Sequence, residues 1–224
     1  DSCGPLANEY ERVIGLPAPS SVPGTAKLTY WPGRNARAPR FSMSTEIRTV
    51  VVLGAGTMGS QIAAVCALAG YGTSLVDISQ DQLDRARTQL EQRLSRDVEK
   101  GRRAREDVDA AWDRLTLTTD RDAAAATADL VIEAAVEDLS VKRTIFSELD
   151  AVCPGHTLLV TNSSNIVSSR VADATSRPDR VCNLHFFNPA PVQPLVEIVS
   201  SVLTDPEVAE TATTFVTEVL GKAP

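Results

Sequence analysis

His185, one of the chain's two histidines, stands where an acid/base catalyst could act. It lies at the end of an apolar run, 180–186, and a proline-rich stretch and Glu197 follow it. Imidazole exchanges a proton near neutral pH, so it can take the hydroxyl proton when an alcohol is dehydrogenated. A carboxylate such as Glu197 could orient the ring and stabilise the imidazolium. Taken alone, a histidine beside aromatic residues is more often structural, and that interpretation stays open. His156, in a Pro-Gly-His turn, is interpreted as an exposed loop residue.

A glycine-rich turn predicts a nucleotide site. It consists of Gly54, Ala55, Gly56, Thr57, Met58 and Gly59. The first glycine permits a tight turn, the second lets the backbone approach a pyrophosphate, and the third lets the following helix pack closely on the preceding strand. Asp77, at the end of the next predicted strand, is placed to accept hydrogen bonds from both ribose hydroxyls and to repel a 2′-phosphate. The pattern favours NAD over NADP; a glycine turn with an incidental acid is the alternative.

Alternating strand and helix patterns must position these residues. An apolar run from Ile47 predicts a buried strand, Thr57–Leu68 a helix and Thr73–Asp77 a second strand, which together make a parallel βαβ unit. A long polar-faced segment, Ser79–Trp112, carries an apolar stripe at helical spacing that we interpret as packing. Further strands are predicted at Leu130–Ile132, Thr157–Thr161, Arg180–Phe186 and Leu195–Val199, with helices over Leu139–Leu149 and from about Asp205 to Gly221. The alternation predicts an α/β fold, a doubly wound Rossmann-type sheet with helices on both faces.

Composition excludes several classes of protein. The net charge of −7 argues against general nucleic-acid binding. No stretch approaches the roughly 18 uninterrupted apolar residues of a membrane span, and no signal-peptide pattern opens the chain, so we expect a cytoplasmic protein that does not bind membranes. The four cysteines lack a CxxC pair, which favours reduced structural thiols over a metal site.

The chain is predicted to have two parts. Residues 1–42 contain six of the thirteen prolines and few large apolar residues, so we expect a disordered or extended leader. Residues 43–224, which open with Met43, are predicted to form one nucleotide-binding domain.

Several segments, taken in order, resemble the 3-hydroxyacyl-CoA dehydrogenase family. They are the glycine turn at Gly54, the run Ile132-Glu133-Ala134-Ala135-Val136-Glu137-Asp138, Lys142, the stretch Thr161-Asn162-Ser163-Ser164 and the run HFFNPAPVQPLVE from His185. The resemblance covers about Thr49 to Pro224. It implies an oxidoreductase of fatty-acid metabolism that transfers a hydride between NAD and C3 of a 3-hydroxyacyl-CoA, with 3-hydroxybutyryl-CoA as the expected substrate.

The resemblance also implies roles for three residues at the reacting centre. His185 would take the 3-hydroxyl proton as hydride leaves C3. Glu197 would hold His185, and Ser164 would bind the reacting oxygen.

Cofactor-side roles follow in the same way. Asn188 matches an asparagine near the nicotinamide, and Ala134, Glu137 and Lys142 match positions beside the cofactor. Without the resemblance, Glu137 would be interpreted as a helix-start carboxylate and Lys142 as a solvated lysine.

The densest positive run of the chain contains Lys100, Arg102 and Arg103. It lies where the family has a helical excursion over the CoA moiety, so the resemblance implies contacts with the phosphates of an acyl-CoA. The alternative is a solvated helix end whose arginines pair with neighbouring acids.

Two features depart from the family. Asn165 follows Ser164 where the family commonly has another serine, and we expect it to tune the turn without removing the hydroxyl. The chain reaches Pro224 where family members continue into a helical C-terminal domain, so we expect that domain to be absent, turnover to be poor and a homodimer to form only when the domain is present. The alternatives are a dehydrogenase of a free hydroxy acid or sugar acid, for which the basic run would be idle, and a non-catalytic nucleotide-binding protein.

Overall fold

A computed structural model describes residues 47–224, apart from the side chains of residues 218 and 219. These residues contain seven strands and seven α-helices. The strands are β1 (Thr49–Leu53), β2 (Gly72–Val76), β3 (Leu115–Thr118), β4 (Leu130–Glu133), β5 (Leu158–Thr161), β6 (Val181–Phe186) and β7 (Val196–Val199). The helices are α1 (Thr57–Leu68), α2 (Gln80–Glu99), α3 (Arg105–Arg114), α4 (Arg121–Ala125), α5 (Leu139–Val152), α6 (Ser168–Ala172) and α7 (Pro206–Thr214), with a 3₁₀ turn at Pro178–Arg180 and a π-helical turn at Phe215–Val219. The predicted leader, residues 1–42, lies outside the described residues, and its boundary stays a prediction.

The strands form one sheet in the order β3-β2-β1-β4-β5-β6-β7. The first six are parallel, and β7 runs antiparallel to β6. The strand order reverses between β1 and β4, and in open α/β sheets ligands bind at such a reversal, beyond the carboxyl ends of the strands. Most predicted site residues from the glycine turn to His185 lie at or just after the carboxyl end of a strand. The exceptions are Lys142, on α5, and the basic residues Lys100, Arg102 and Arg103, between α2 and α3.

Apolar layers cover both faces of the sheet, because the central strands direct apolar side chains toward both faces. In β1, Val50 and Val52 pack in the layer that contains α1 and α7, whereas Val51 and Leu53 pack in the layer that contains α5 and α6. The four side chains are 4% exposed or less, and burial of each contributes on the order of 2 kcal/mol. The predicted doubly wound Rossmann-type sheet with helices on both faces is confirmed.

The segment 79–112 differs from the prediction, because it forms two helices instead of one continuous stretch. Gly101 has a φ of +64°, a left-handed conformation that ends α2 and lets α3 turn back. The predicted stripe is indeed packing, since Leu83, Ala86, Leu90 and Leu94 of α2 are buried. Sequence analysis also missed β3, a half-exposed edge strand of four residues that directly follows α3.

Three described cysteines, Cys66, Cys153 and Cys182, are buried free thiols. Burial raises the pKa of Cys66 and Cys182 to about 12 and that of Cys153 to about 11, which agrees with the predicted structural role. Within residues 47–224, no helix is long and apolar enough to cross a membrane, and no group of three or more His, Cys, Asp or Glu side chains is arranged to hold a metal ion.

Candidate active site

Three predicted catalytic residues meet at the carboxyl ends of β5 and β6. His185 lies directly opposite Glu197 in the antiparallel pairing of β6 with β7, a position that places two side chains within reach of each other. The His185 Nδ1 lies 2.9 Å from Glu197 Oε2. On the other side of the ring, Nε2 lies 3.0 Å from the Oγ of Ser164, which follows β5. Ser164, His185 and Glu197, called the His185 group below, therefore form one hydrogen-bonded chain.

The geometry of the ring determines which nitrogen can act as a base. A carboxylate only accepts hydrogen bonds, so His185 Nδ1 carries the hydrogen that is donated to Glu197. In neutral imidazole this leaves the Nε2 lone pair free, on the side that faces Ser164. The His185 side chain is 18% exposed, and the Phe187 ring packs against it at a centroid distance of 4.6 Å. A half-buried imidazole whose Nδ1 is held by a carboxylate and whose Nε2 carries a lone pair is suited to proton transfer at the crevice.

Ser164 extends from a turn in which the preceding residue, Ser163, makes hydrogen bonds through both its backbone and its hydroxyl group. The Ser163 backbone N–H donates to Thr161 Oγ1 at 3.2 Å. Its hydroxyl oxygen accepts from the backbone N–H groups of Asn165 and Ile166 at 3.3 and 2.8 Å. Asn165, where the sequence departs from the family, joins this turn through its backbone N–H.

The glycine turn joins β1 to α1 with very little space. Gly54 adopts a φ of +98°, and a Cβ there would lie 2.6 Å from the Ala134 carbonyl oxygen, which follows β4. A Cβ at Gly59 would lie 1.8 Å from the Gly54 carbonyl oxygen. By contrast, a Cβ at Gly56 would meet nothing within 4 Å. The first and third glycines therefore serve close packing, and the second leaves open space where a ligand can approach the backbone.

The residues around this turn fit a dinucleotide. Helix α1 begins at Thr57 and Met58 with no side-chain cap and no acidic residue in its first turn, so its N–H groups and its positive end remain available to a pyrophosphate. Asp77, directly after β2, accepts hydrogen bonds from the backbone N–H groups of Ala55 at 2.7 Å and Ser79 at 2.9 Å. The structure therefore places an anchored carboxylate beside the glycine turn, where the sequence pattern placed it.

A buried ion pair joins the end of β4 to α5. Lys142 Nζ lies 2.6 Å from Glu133 Oε1, and the two side chains are 1% and 0% exposed. Glu133 also accepts hydrogen bonds from the Ala135 N–H and the Thr161 hydroxyl, each at 2.7 Å. The interpretation of Lys142 as a solvated lysine is wrong. Sequence analysis did not single out Glu133, although an acid directly after the apolar run Leu130–Ile132 was a visible signal.

Glu137 links the two loops that flank this pair. It accepts hydrogen bonds from the Ser163 hydroxyl and, at 3.3 Å, from the Asn165 N–H, and it lies 3.4 Å from Lys142 Nζ. Burial, the largest single contribution, raises the pKa of Glu137, but the Ser163 hydrogen bond, the Lys142 charge and the remaining hydrogen bonds outweigh it and hold that pKa below its usual range. Glu137 therefore joins the loop after β4 to the turn that contains Ser164.

Asn188 and the basic run lie at the edge of this arrangement. Asn188 is exposed and accepts a hydrogen bond from Gln61 of α1 at 3.4 Å. Lys100, Arg102 and Arg103 lie in the turn between α2 and α3, where Arg102 pairs with Asp97 at 3.4 Å. Within residues 47–224, no hydrogen bond or ion pair joins this turn to the His185 group, and the role of the basic run in substrate binding stays a prediction.

Known proteins are similar to this chain in sequence. Residues 49–224 match the family model described as the NAD-binding domain of 3-hydroxyacyl-CoA dehydrogenase, which confirms NAD as the predicted cofactor. The chain is 47% identical to the 3-hydroxyadipyl-CoA dehydrogenase of Escherichia coli K12 over 168 residues, which are 75% of this chain and 35% of that protein. It is 42% identical to the 3-hydroxybutyryl-CoA dehydrogenase of Mycobacterium tuberculosis H37Rv over 181 residues, which are 80% of this chain and 63% of that protein.

A solved structure shows the same likeness in three dimensions. The crystal structure of 3-hydroxybutyryl-CoA dehydrogenase from Escherichia coli K12 superposes with a TM-score of 0.78 at 45% sequence identity, over 80% of this chain and 38% of that one. The chain thus spans between about a third and two thirds of the length of these relatives.

Proposed function

This chain belongs to the 3-hydroxyacyl-CoA dehydrogenase family, and from that premise we propose that it is the NAD-binding part of an enzyme that interconverts 3-hydroxyacyl-CoA and 3-oxoacyl-CoA thioesters. The observation that carries the proposal is the His185 group, one hydrogen-bonded chain at the carboxyl ends of β5 and β6. Bound NAD supplies the hydride acceptor or donor of this reaction. The chain's own residues supply proton transfer, orientation and charge.

His185 acts as the acid/base. In the oxidative direction, its Nε2 takes the proton of the 3-hydroxyl group, and Glu197, bonded to Nδ1, stabilises the imidazolium that forms. Ser164, whose hydroxyl already lies beside Nε2, binds the reacting oxygen and holds it in line with the base. A positioned base of this kind accelerates a reaction by roughly 10²–10⁴-fold.

The acyl-CoA is the proposed substrate, with 3-hydroxybutyryl-CoA as its expected member. We propose that Lys100, Arg102 and Arg103 contact the CoA phosphates, since they form the densest positive run of an acidic chain. Reversing the charges of Arg102 and Arg103 together should weaken acyl-CoA binding and spare NADH binding. Equal loss of both would remove the basic run from the substrate site.

The test is NADH oxidation with acetoacetyl-CoA, measured by absorbance for this chain alone and joined to the C-terminal domain of a family relative. We expect His185→Gln to lower kcat by roughly 10²–10⁴-fold and to leave the Kd of NADH unchanged, because His185 acts on the transition state. His156→Gln is the matched control, since His156 lies in an exposed turn and bonds to Asp129. Equal rates for the two variants would contradict the assignment of His185.

Substrate analogues separate the alternatives. Turnover of free 3-oxo acids in place of acetoacetyl-CoA would favour a hydroxy-acid dehydrogenase. Binding of NADH with no turnover of either class would favour a non-catalytic nucleotide-binding protein. A parallel assay with 3-oxoadipyl-CoA shows whether the enzyme prefers an adipyl or a butyryl chain, the two acyl chains in the names of the relatives.

A further inference from the structure

Asn183 is a buried polar residue on β6. Side chains alternate between the two faces of a strand, so Val181, Asn183 and His185 share the face that is covered by α5 and α6. Val181 packs in the apolar layer there, and His185 reaches the crevice. Asn183 lies between them with only 6% of its surface exposed. A buried strand position inside an apolar layer usually holds an apolar residue.

The amide of Asn183 makes one hydrogen bond and leaves the other end of the group without one. Its Nδ2 donates to the Ser163 backbone carbonyl at 2.8 Å. Its Oδ1 is buried and has no hydrogen-bond partner among the described residues. A buried polar atom without a partner is unfavourable for the folded state, so stability gives no reason for an asparagine at this position. The bond to Ser163 is the feature that an apolar residue would not provide.

That bond fixes the residue directly before Ser164. Ser163 is also bonded to Glu137, but Glu137 lies in the loop on the cofactor side and is 39% exposed. Asn183, in contrast, lies two residues from His185 on the same rigid strand. Asn183, which holds the turn before Ser164, and His185, which Ser164 faces, therefore lie on the same strand. Residues on a rigid strand hold their relative positions more closely than residues on loops do.

We propose that Asn183 is a positioning residue, which holds the Ser163 carbonyl and thereby keeps the Ser164 hydroxyl 3.0 Å from His185 Nε2. The inference rests on the proposed function, because it assigns Asn183 to the reaction of the His185 group. Asn183 itself contacts neither the reacting atoms nor the expected cofactor residues.

The direct test is the imidazole ¹⁵N spectrum of the chain, which contains only two histidines. His156→Gln assigns the signals. We expect Asn183→Leu to shift the His185 Nε2 resonance toward its position in Ser164→Ala, because both changes remove the serine hydroxyl from the ring. An Nε2 resonance in Asn183→Leu that matches the unaltered chain would overturn the proposal. Asn183→Ala takes the place of leucine if that variant does not fold.

Kinetics give an independent readout. We expect Asn183→Leu to lower kcat/KM for acetoacetyl-CoA by about tenfold or more, as small misplacements of catalytic groups do, and to leave the Kd of NADH within about twofold. In a Ser164→Ala background the same substitution should change kcat/KM by less than about twofold, because Asn183 acts through Ser164. An equal loss in both backgrounds, or a parallel loss of NADH binding, would overturn the proposal.

The matched control is Asn165→Ala, since Asn165 is an exposed asparagine in the same turn whose side chain makes no hydrogen bond within the described residues. It should leave both the His185 resonance and kcat/KM unchanged. If the unaltered chain joined to the C-terminal domain does not reduce acetoacetyl-CoA, the proposed function fails, and the ¹⁵N comparison still decides whether Asn183 places Ser164.

Discussion

Glu133→Gln tests the buried ion pair with Lys142. Gln keeps the shape of the side chain: its oxygen can accept from Lys142 and from the Ala135 N–H, and its NH₂ group can donate to the Thr161 hydroxyl oxygen. What it removes is the negative charge. The Lys142 ammonium, 1% exposed, is then left with Glu137 at 3.4 Å as its remaining carboxylate partner.

The expected loss follows from the cost of leaving a charge buried without its partner. Breaking a buried pair by removing one partner costs about 3–5 kcal/mol. Because Glu137 compensates part of the Lys142 charge, we expect the free energy of unfolding to fall by about 3 kcal/mol, the lower end of this range. For a domain of this size, 1 kcal/mol shifts Tm by roughly 2–4 °C, so Tm should fall by roughly 6–12 °C.

Equilibrium unfolding in urea measures this loss. The double variant Glu133→Gln/Lys142→Met should recover most of it, since no charge stays buried without a partner and methionine fills a similar volume. Thr161→Val is the matched control: it removes the hydrogen bond to the same carboxylate and the acceptor of the Ser163 N–H but leaves no charge without its partner, so it should cost only about 1–2 kcal/mol. A loss below about 1 kcal/mol for Glu133→Gln, or a double variant as unstable as the single one, would refute this reasoning.

Two further predictions concern the glycine turn and the acid limb of stability. Gly59→Ala places a methyl group 1.8 Å from the Gly54 carbonyl oxygen, so α1 must move away and the Kd of NADH should rise by at least about tenfold. The control is Gly155→Ala, where a Cβ meets nothing within 4 Å, and it should leave the Kd of NADH unchanged. Equal NADH affinities of the two variants would contradict the packing argument. Burial, the largest contribution, raises the pKa of Asp129, but hydrogen bonds from the backbone at the start of β1, a threonine hydroxyl and His156 outweigh it and lower that pKa. The stability that Asp129 contributes is thus fully present above its unfolded pKa of about 4 and is lost as pH falls through its folded pKa. In Asp129→Asn the free energy of unfolding should therefore decline less steeply below about pH 5 than in the unaltered chain. An equally steep decline in both proteins would be evidence against this role of Asp129.

The central fold could be predicted because its elements carry strong local signals. The apolar run from Ile47, the glycine turn and the helix Thr57–Leu68 form the predicted βαβ unit, and that helix has the predicted bounds. The short helices Arg121–Ala125 and Ser168–Ala172 were missed, because five residues are too few to show a helical period. The pairing of His185 with Glu197 depends on the register of β6 with β7, which no local pattern specifies.

Lys142 shows why polar groups inside the molecule were harder to predict. A lysine near the start of a helix is typically solvated, and that interpretation was wrong for Lys142. The informative signal was its spacing, because Lys142, Phe146 and Leu149 lie at i, i+4 and i+7 and form the buried stripe of α5. A lysine on an apolar stripe requires a buried counter-ion, and only the sheet brings Glu133, nine residues earlier in the chain, beneath it.

The ends of the central strands are joined by side chains where the backbone ladder stops. Thr161, at the end of β5, donates to Glu133 at the end of β4. Asn162 accepts from the backbone N–H of Phe186, at the end of β6, and Asn183 of β6 donates to the turn after β5. These bonds run across neighbouring strands and not along the loops. Glu133, the turn that carries Ser164 and the end of the strand that carries His185 are therefore held together by side chains of the sheet itself. This argues that ligands meet a largely preformed crevice, and that substitutions one layer beneath it should disturb the reaction without touching a ligand.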